Sequence, residues 1–311
     1  LSSAVTDLAG VELDTADLER LRAELQVLGR VVVAFSGGAD SAFVAKVATD
    51  TLGADHVLCV TAVSPSLAPE ELADCRALAA EWGLRYLEVA TDELADPSYT
   101  ANDGSRCYHC KSSLMAALGP VSAAAGHSAT VVLGVNVDDL ADHRPGQAAA
   151  SERGAVFPLV LAGFTKADVR NWSRRLGLRT WDKPAAACLA SRVPYGTRVT
   201  FATLDSVARA ESGLRSLGFR QLRVRHYGDT ARIEVPADDL GRVVHHRDAV
   251  SAAVHDAGYR YVTLDLDGFR SGNLNDSLTP ADQGAAAGPT TMETSAVESR
   301  TMEPSTMEST P

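Results

Sequence analysis

Val31-Val32-Val33-Ala34-Phe35-Ser36-Gly37-Gly38-Ala39-Asp40-Ser41 is the stretch that decides the fold of this chain. Its first half, entered from Arg30, is an unbroken apolar run, the pattern of a strand buried on both faces. Its second half is a glycine-rich turn, and a helix is predicted from about Ser41 to Leu52. Glycines let backbone N–H groups turn toward an anion, and the helix N-terminus adds its positive dipole. Ser36 and Ser41 add hydroxyl donors. The loop lacks the lysine of a Walker loop, so a different nucleotide loop is implied. The bland alternative is an ordinary strand–helix turn, and the full Ser-Gly-Gly-x-Asp-Ser string outweighs it.

Working outward, strands and helices alternate. Residues 7–29 carry Leu and charged residues at helical spacing. Strands are predicted at 56–62, 84–89 and 130–134, with helices at 69–83 and 111–125 between them. Such alternation implies a parallel sheet with helices on both faces. After Pro194 the pattern changes. A helix at 201–217 precedes two strands, 220–226 and 231–235, joined by Tyr227-Gly228-Asp229-Thr230 as a hairpin. An amphipathic helix at 238–257 and a strand at 259–266 complete a small α+β domain. From about Asn275 the composition collapses to Ala, Gly, Ser, Thr, Pro, Met and Glu, with Thr-Met-Glu recurring at Thr291, Thr301 and Thr306. No core face can form there, so a disordered tail is expected. The expected division is 1–194, 195–274 and 275–311.

The 311 residues suffice for one large or two ordinary domains, and a hydrophobic fraction of 45% supports a real core. A formal net charge of −11 disfavours a protein that grips long nucleic acid. The cysteines number five, an odd count that argues against a disulfide framework and for a reduced, cytoplasmic enzyme. No apolar run is long enough to span a membrane. Residues 1–10 lack the pattern of a signal peptide, and opening on Leu1 suggests a trimmed or partial start.

Further motifs carry chemistry. Gly134-Val135-Asn136-Val137-Asp138-Asp139 follows the fourth strand, where such sheets bind ligands. Asp138 and Asp139 can hold Mg²⁺, orient a substrate, or simply belong to a polar loop. In Asp142-His143-Arg144-Pro145-Gly146, Arg144 can pair with a carboxylate or phosphate. Cys107-Tyr108-His109-Cys110-Lys111 reads as a metal half-site, a redox pair, or two reduced cysteines at a helix start. No second Cys-x-x-Cys completes a zinc site. The segment from Lys183 to Gly196 is irregular, with Pro184, Pro194 and Gly196. Cys188 beside Arg192 can act as a thiolate there, or be a small packed residue. Arg223 and Arg225 alternate on a predicted strand and so share a face, forming either a phosphate site or a solvated face. Glu211 and Asp265 or Asp267 are carboxylates that could surround it.

The Ser36–Ser41 string resembles the PP-loop ATP pyrophosphatases, which cleave ATP between the α and β phosphates and leave AMP on the substrate. That resemblance implies an adenine nucleotide α-hydrolase-like parallel sheet. It also implies ATP contacts by Ala34, Ser36, Gly37, Gly38, Asp40, Ser41 and Gly134, and Mg²⁺ near Asp40 and Asp139. Taken together, Ser36–Ser41, Arg106–Lys111, Gly134–Asp139, Asp142–Gly146, Cys188–Gly196, Arg223–Asp229 and Thr263–Gly272 resemble the LarE family over about residues 8–275. These are ATP-dependent sacrificial sulfur transferases of nickel-pincer cofactor biosynthesis. The resemblance implies pyridinium-3,5-biscarboxylic acid mononucleotide as substrate and Cys188 as sulfur donor. It implies substrate contacts by Arg144, Ser191, Arg192, Glu211, Arg223 and Arg225, and a homo-oligomer. Some members use three cysteines to hold an iron–sulfur cluster, for which Cys107, Cys110 and Cys188 are the candidates here. The rival enzyme reading is an amidating ligase of the NAD- or GMP-synthetase kind, though no amidotransferase domain is visible. A tRNA thiolase should be more basic, and a non-catalytic nucleotide sensor has no use for Cys188.

Overall fold

The computed structural model describes residues 15–125, 129–140 and 145–270. The expectations for 7–14, for Asp142-His143-Arg144 and for the tail lie outside the described residues.

The first helix, α1 (Thr15–Leu28), buries Leu18, Leu21 and Leu25, one face at helical spacing. Strand β1 (Val31–Ala34) follows, then α2 (Ala39–Leu52), β2 (Val57–Val63), α3 (Pro69–Glu81) and β3 (Tyr86–Ala90). A short α4 (Pro97–Ala101) and the long α5 (Arg106–Ala124) lead to β4 (Thr130–Val132). The four strands form a parallel sheet in the order β3-β2-β1-β4, with Val33 registered on Cys59 and Val132. The chain moves outward from β1 through β2 to β3, then crosses to place β4 on the other side of β1. The carboxyl ends of β1 and β4 therefore flank the point where strand order reverses, the crevice in which open α/β sheets bind ligands.

Helix α2 is buried nearly all round, including Ala39, Ala42, Phe43, Val44, Ala45, Val47 and Ala48. Phe43 meets Phe164 with ring centroids 5.5 Å apart. Burying one such side chain is worth about 1.5–3 kcal/mol, so the helix that carries the glycine loop is rigidly held. Between β4 and the second sheet run α6 (Pro145–Ser151), α7 (Pro158–Leu161) and α8 (Lys166–Arg175). Helix α8 starts with a reciprocal capping box between Thr165 and Asp168.

The second sheet has the order β5-β6-β7: β5 (Arg223–Tyr227) pairs antiparallel with β6 (Thr230–Glu234), and β6 pairs parallel with β7 (Tyr261–Leu264). One face, with Val224, Ala231 and Ile233, packs into a core with α9 (Phe201–Ser216) and later helices. The single helix expected over 238–257 is instead a short 3₁₀ turn, α10 (Leu240–His245) and α11 (Arg247–Asp256), interrupted at His246. Tyr99, Leu189, Ala190 and Val193 also belong to this second core. Asn102 ties the two regions together, its amide donating to the carbonyls of Pro194 and Thr197, each at 2.8 Å.

Candidate active site

The turn after β1 is shaped by Gly37 and by the residues beneath it. Gly37 has φ +66, and a Cβ there would lie 2.9 Å from the Cys75 sulfur. Both conformation and space therefore demand glycine. The Ser36 N–H donates to Ser41 Oγ at 3.2 Å, the two hydroxyls lie 3.0 Å apart, and Ser41 Oγ donates to Gly38 O at 3.2 Å. These bonds close the loop at the start of α2. Gly134, at the end of β4, lies under that start: a Cβ would stand 2.6 Å from Ser41 N and 2.8 Å from Asp40 C. Its smallness lets the second loop approach the first.

Asp40 joins the two loops. Asn136 Nδ2 donates to Asp40 Oδ1 at 3.3 Å, while Lys166 Nζ pairs with Asp40 Oδ2 at 2.5 Å. The Asn136 N–H donates to Asp139 Oδ2 at 3.1 Å, and the Lys166 N–H to Asp138 Oδ2 at 2.9 Å. Asp40 and Asp139 thus stand on either side of Asn136 at the mouth of the Ser36–Ser41 loop. Magnesium takes one or two carboxylates plus phosphate oxygens rather than an all-protein cage, and this pair fits that requirement. Among the described residues no group of three or more His, Cys, Asp or Glu side chains is arranged to hold a metal ion.

Cys188 is exposed and caps a 3₁₀ turn, Leu189–Arg192. The Leu189 N–H donates to Ser66 O at 2.8 Å. The expected pairing of Arg192 with the thiol is replaced by another arrangement. Arg192 Nη1 donates to the carbonyls of Ala187 at 2.7 Å and Cys188 at 3.2 Å, and to Ser191 Oγ at 3.0 Å. Its Nε and Nη2 grip both oxygens of Glu211 at 2.8 and 3.1 Å. Glu211 is fully buried and also accepts from Arg215 Nη2 at 2.8 Å and from the Val224 N–H at 3.1 Å. Arg192 therefore shapes the backbone around Cys188. The cation that senses the thiol is Arg106, at the start of α5. Burial alone would lower its pKa, but negative charge on Cys188, Cys107 and Tyr195 raises it. Arg106 Nη1 also donates to Ala190 O at 2.9 Å.

Cys107 and Cys110 are neighbours of Cys188 in this electrostatic sense. Burial pushes the Cys110 thiol up to about 12, and charge on Cys188 adds to the effect.

Arg223 and Arg225 do share a face of the second sheet, with Arg232 and Glu234 opposite them in register. Arg225 Nε donates to Glu234 Oε1 at 2.9 Å, and its Nη1 donates to Ser191 O at 2.7 Å. Arg223 stacks on Phe269, 4.4 Å from its centroid, and donates to Arg270 O at 3.3 Å. Its pKa is lowered by burial and then by the Arg225 and Arg192 guanidiniums. Arg223, pressed by two neighbouring guanidiniums, is the cation of this face that an added anion would relieve. Of the two further carboxylates, Asp265 lies 3.4 Å from Arg232 and Asp267 pairs with Arg270 at 3.2 Å.

A search of related proteins now bears on this geometry. The chain is 43% identical over 261 residues to the pyridinium-3,5-bisthiocarboxylic acid mononucleotide synthase of Lactiplantibacillus plantarum, covering 84% of this chain and 94% of that protein. The chain belongs to the LarE family. It is also 48% identical over 264 residues to a protein of Synechocystis sp., covering 84% of this chain and 98% of the relative. A Methanocaldococcus jannaschii protein is 25% identical over 242 residues, 78% of this chain and 91% of its own. The NAD synthase family model matches residues 18–109, which include the phosphate loop. The parallel sheet is accordingly that of a PP-loop domain.

Within this LarE-family chain, four site groups have no assigned role in the motifs read above: Asn136, Lys166, Lys183 and Arg106. Lys183 and Arg106 open strings that sequence reading singles out, and Asn136 lies inside one. Lys166 lies inside the Thr165-x-x-Asp168 capping box, a legible helix start, but its partner across 126 positions is not legible. A cavity of ≈ 390 Å³ lies at the amino ends of β1 and β2, lined by Arg30, His56 and Arg85 among others, and includes none of the candidate site residues. Among the described residues no helix is long and apolar enough to cross a membrane.

Proposed function

We propose that this chain is an ATP-dependent, AMP-forming sulfurtransferase acting on pyridinium-3,5-biscarboxylic acid mononucleotide in nickel-pincer cofactor biosynthesis. One observation carries the reading. The segment from Lys183 to Arg192 starts on the phosphate loop, through Gly37 O, and ends on the arginine face, through Ser191 O. The exposed Cys188 lies between. A thiol so placed can reach a carboxylate activated at the loop while the same substrate's phosphate rests on the arginines.

ATP binds with its pyrophosphate at Ser36–Ser41, and Asp40 and Asp139 would hold a Mg²⁺ ion, which would supply neutralisation of phosphate charge. A substrate carboxylate attacks the α phosphorus and pyrophosphate leaves, giving an acyl adenylate. The Cys188 thiolate attacks the acyl carbon and expels AMP, giving a thioester. Loss of the Cys188 α-proton then breaks the Cβ–S bond. The sulfur leaves as the thiocarboxylate and residue 188 becomes dehydroalanine. Arg223 and Arg225 take the substrate phosphate, while Ser191, Arg192 and Glu211 hold the shape of that pocket. Five cysteines without a disulfide support a reducing, cytoplasmic setting for this reading, and the family resemblance supports a homo-oligomer.

A second reading lets the three thiols carry an iron–sulfur centre that renews the sulfur. The electrostatic influence of Cys107 and Cys188 on Cys110 favours it. The test is a pair of variants. Cys188→Ala should still release pyrophosphate from ATP and substrate yet form no thiocarboxylate, whereas Asp40→Ala should do neither. Thiocarboxylate formation by Cys188→Ala would remove the sulfur-donor assignment.

A further inference from the structure

Lys183 sits where the phosphate loop meets the segment that carries Cys188. Its Nζ donates to Gly37 O at 3.1 Å and pairs with Asp74 Oδ2 at 2.6 Å and Glu71 Oε2 at 2.8 Å. The side chain is only 17% exposed. Burial pulls its pKa down, but Asp74 and Glu71 outweigh that and hold it as a cation. Asp74 is held in turn by Arg179 at 2.7 Å.

From Lys183 the chain passes through exposed residues 184–188. It is fixed again at Leu189, on Ser66 O, and by Arg192 on the carbonyls of Ala187 and Cys188. Cys188 therefore rides near the far end of a short exposed strap. The near end is fastened by one ammonium to a carbonyl of the loop that faces the phosphates. A polyanion arriving in that loop competes with Glu71 and Asp74 for the same ammonium, because charge-assisted bonds to phosphate are strong.

We infer that Lys183 is a positioning residue that couples nucleotide occupancy of the Ser36–Ser41 loop to the placement and reactivity of Cys188. This rests on the loop being the ATP site, and not on Cys188 being the sulfur donor.

The test reads Cys188 directly. Iodoacetamide modification is followed by peptide mass spectrometry, with and without saturating Mg²⁺ and a non-hydrolysable ATP analogue, and nucleotide binding is measured separately by calorimetry. In the unaltered protein the analogue should change the modification rate at Cys188 by about tenfold, the worth of one charge-assisted hydrogen bond. The exposed Cys107 serves as internal control and should change little. In Lys183→Met, at saturating analogue, the Cys188 response should vanish, and Lys183→Arg should restore part of it. Lys183→Gln replaces the Met variant if that protein fails to fold. An equal response in a Lys183→Met or Lys183→Gln protein that binds nucleotide would overturn the coupling, as would no response in the unaltered protein. Failure of the unaltered protein to bind the analogue would instead overturn the ATP-site assignment on which the coupling rests.

Discussion

Replacing Glu211 with alanine isolates what holds the arginine face together. Glu211 and Arg192 are 0% and 6% exposed at their side chains, so neither group has water to fall back on. The carboxylate accepts two bonds from Arg192, one from Arg215 and one from the Val224 N–H. Removing one partner of a buried ion pair costs roughly 3–5 kcal/mol, because the other charge stays buried and uncompensated. The orphaned Val224 N–H would cost about 1–3 kcal/mol alone, but the two losses overlap as the site relaxes. A total near 4 kcal/mol is expected, a large share of the 5–15 kcal/mol that stabilises most proteins. For a chain of this size that lowers Tm by about 10 °C. By contrast, the half-exposed Arg215–Glu70 contact at 3.7 Å should be worth under about 1 kcal/mol. Urea unfolding followed by far-UV circular dichroism, on Glu211→Ala and Glu70→Ala side by side, gives both numbers. A loss below about 1 kcal/mol for Glu211→Ala would refute the view that this carboxylate is the keystone of the buried cations.

Gly134→Ala should lose about 1–3 kcal/mol and raise the ATP KM, because the new methyl meets backbone atoms of Asp40 and Ser41 rather than a yielding side chain. Chemical unfolding and pyrophosphate release measure the two effects, and a silent variant would mean the loops do not touch as described. Arg223→Ala should raise the substrate KM more than the ATP KM; equal increases would place this guanidinium away from the substrate phosphate. Stability should also fall as pH rises past about 8.5, where an unfolded thiol ionises. Burial pushes Cys59 up to about 12, so the folded state keeps a proton that the unfolded state has lost. The slope is about 1.4 kcal/mol per pH unit for each such thiol, and Cys59→Ala should reduce it by one thiol's share while Cys110 keeps its own. An unchanged slope in denaturant titrations at pH 8 to 10 would show that Cys59 ionises freely.

The first domain was legible because its elements are local. The Val31–Ala34 run, the glycine turn and Pro69 at the first turn of α3 each state their own structure. Alternation along β5 likewise puts Arg223 and Arg225 on one face from the sequence alone. The charge network behind them was not legible. Glu211 and Arg192 lie 19 residues apart, and Lys166 and Asp40 lie 126 apart. No periodicity announces a pair that only the fold brings together. Sequence adjacency misled in the case of Cys188 and Arg192. A 3₁₀ turn sends the guanidinium to the carbonyls of residues 187 and 188 and to the buried Glu211. Helix α8 itself carries only Ala167, Val169 and Trp172 as apolar residues among charged neighbours, which hid it despite its capping box.

The most direct test of the account is the mass of the protein after it has worked. The purified chain is incubated with ATP, Mg²⁺ and pyridinium-3,5-biscarboxylic acid mononucleotide, without any added sulfur source. Intact mass and peptide mapping then follow residue 188 while product is counted. The account predicts a plateau near one thiocarboxylate per active chain, with the elements of hydrogen sulfide lost at Cys188 and nowhere else. Continued turnover with Cys188 chemically intact would contradict it.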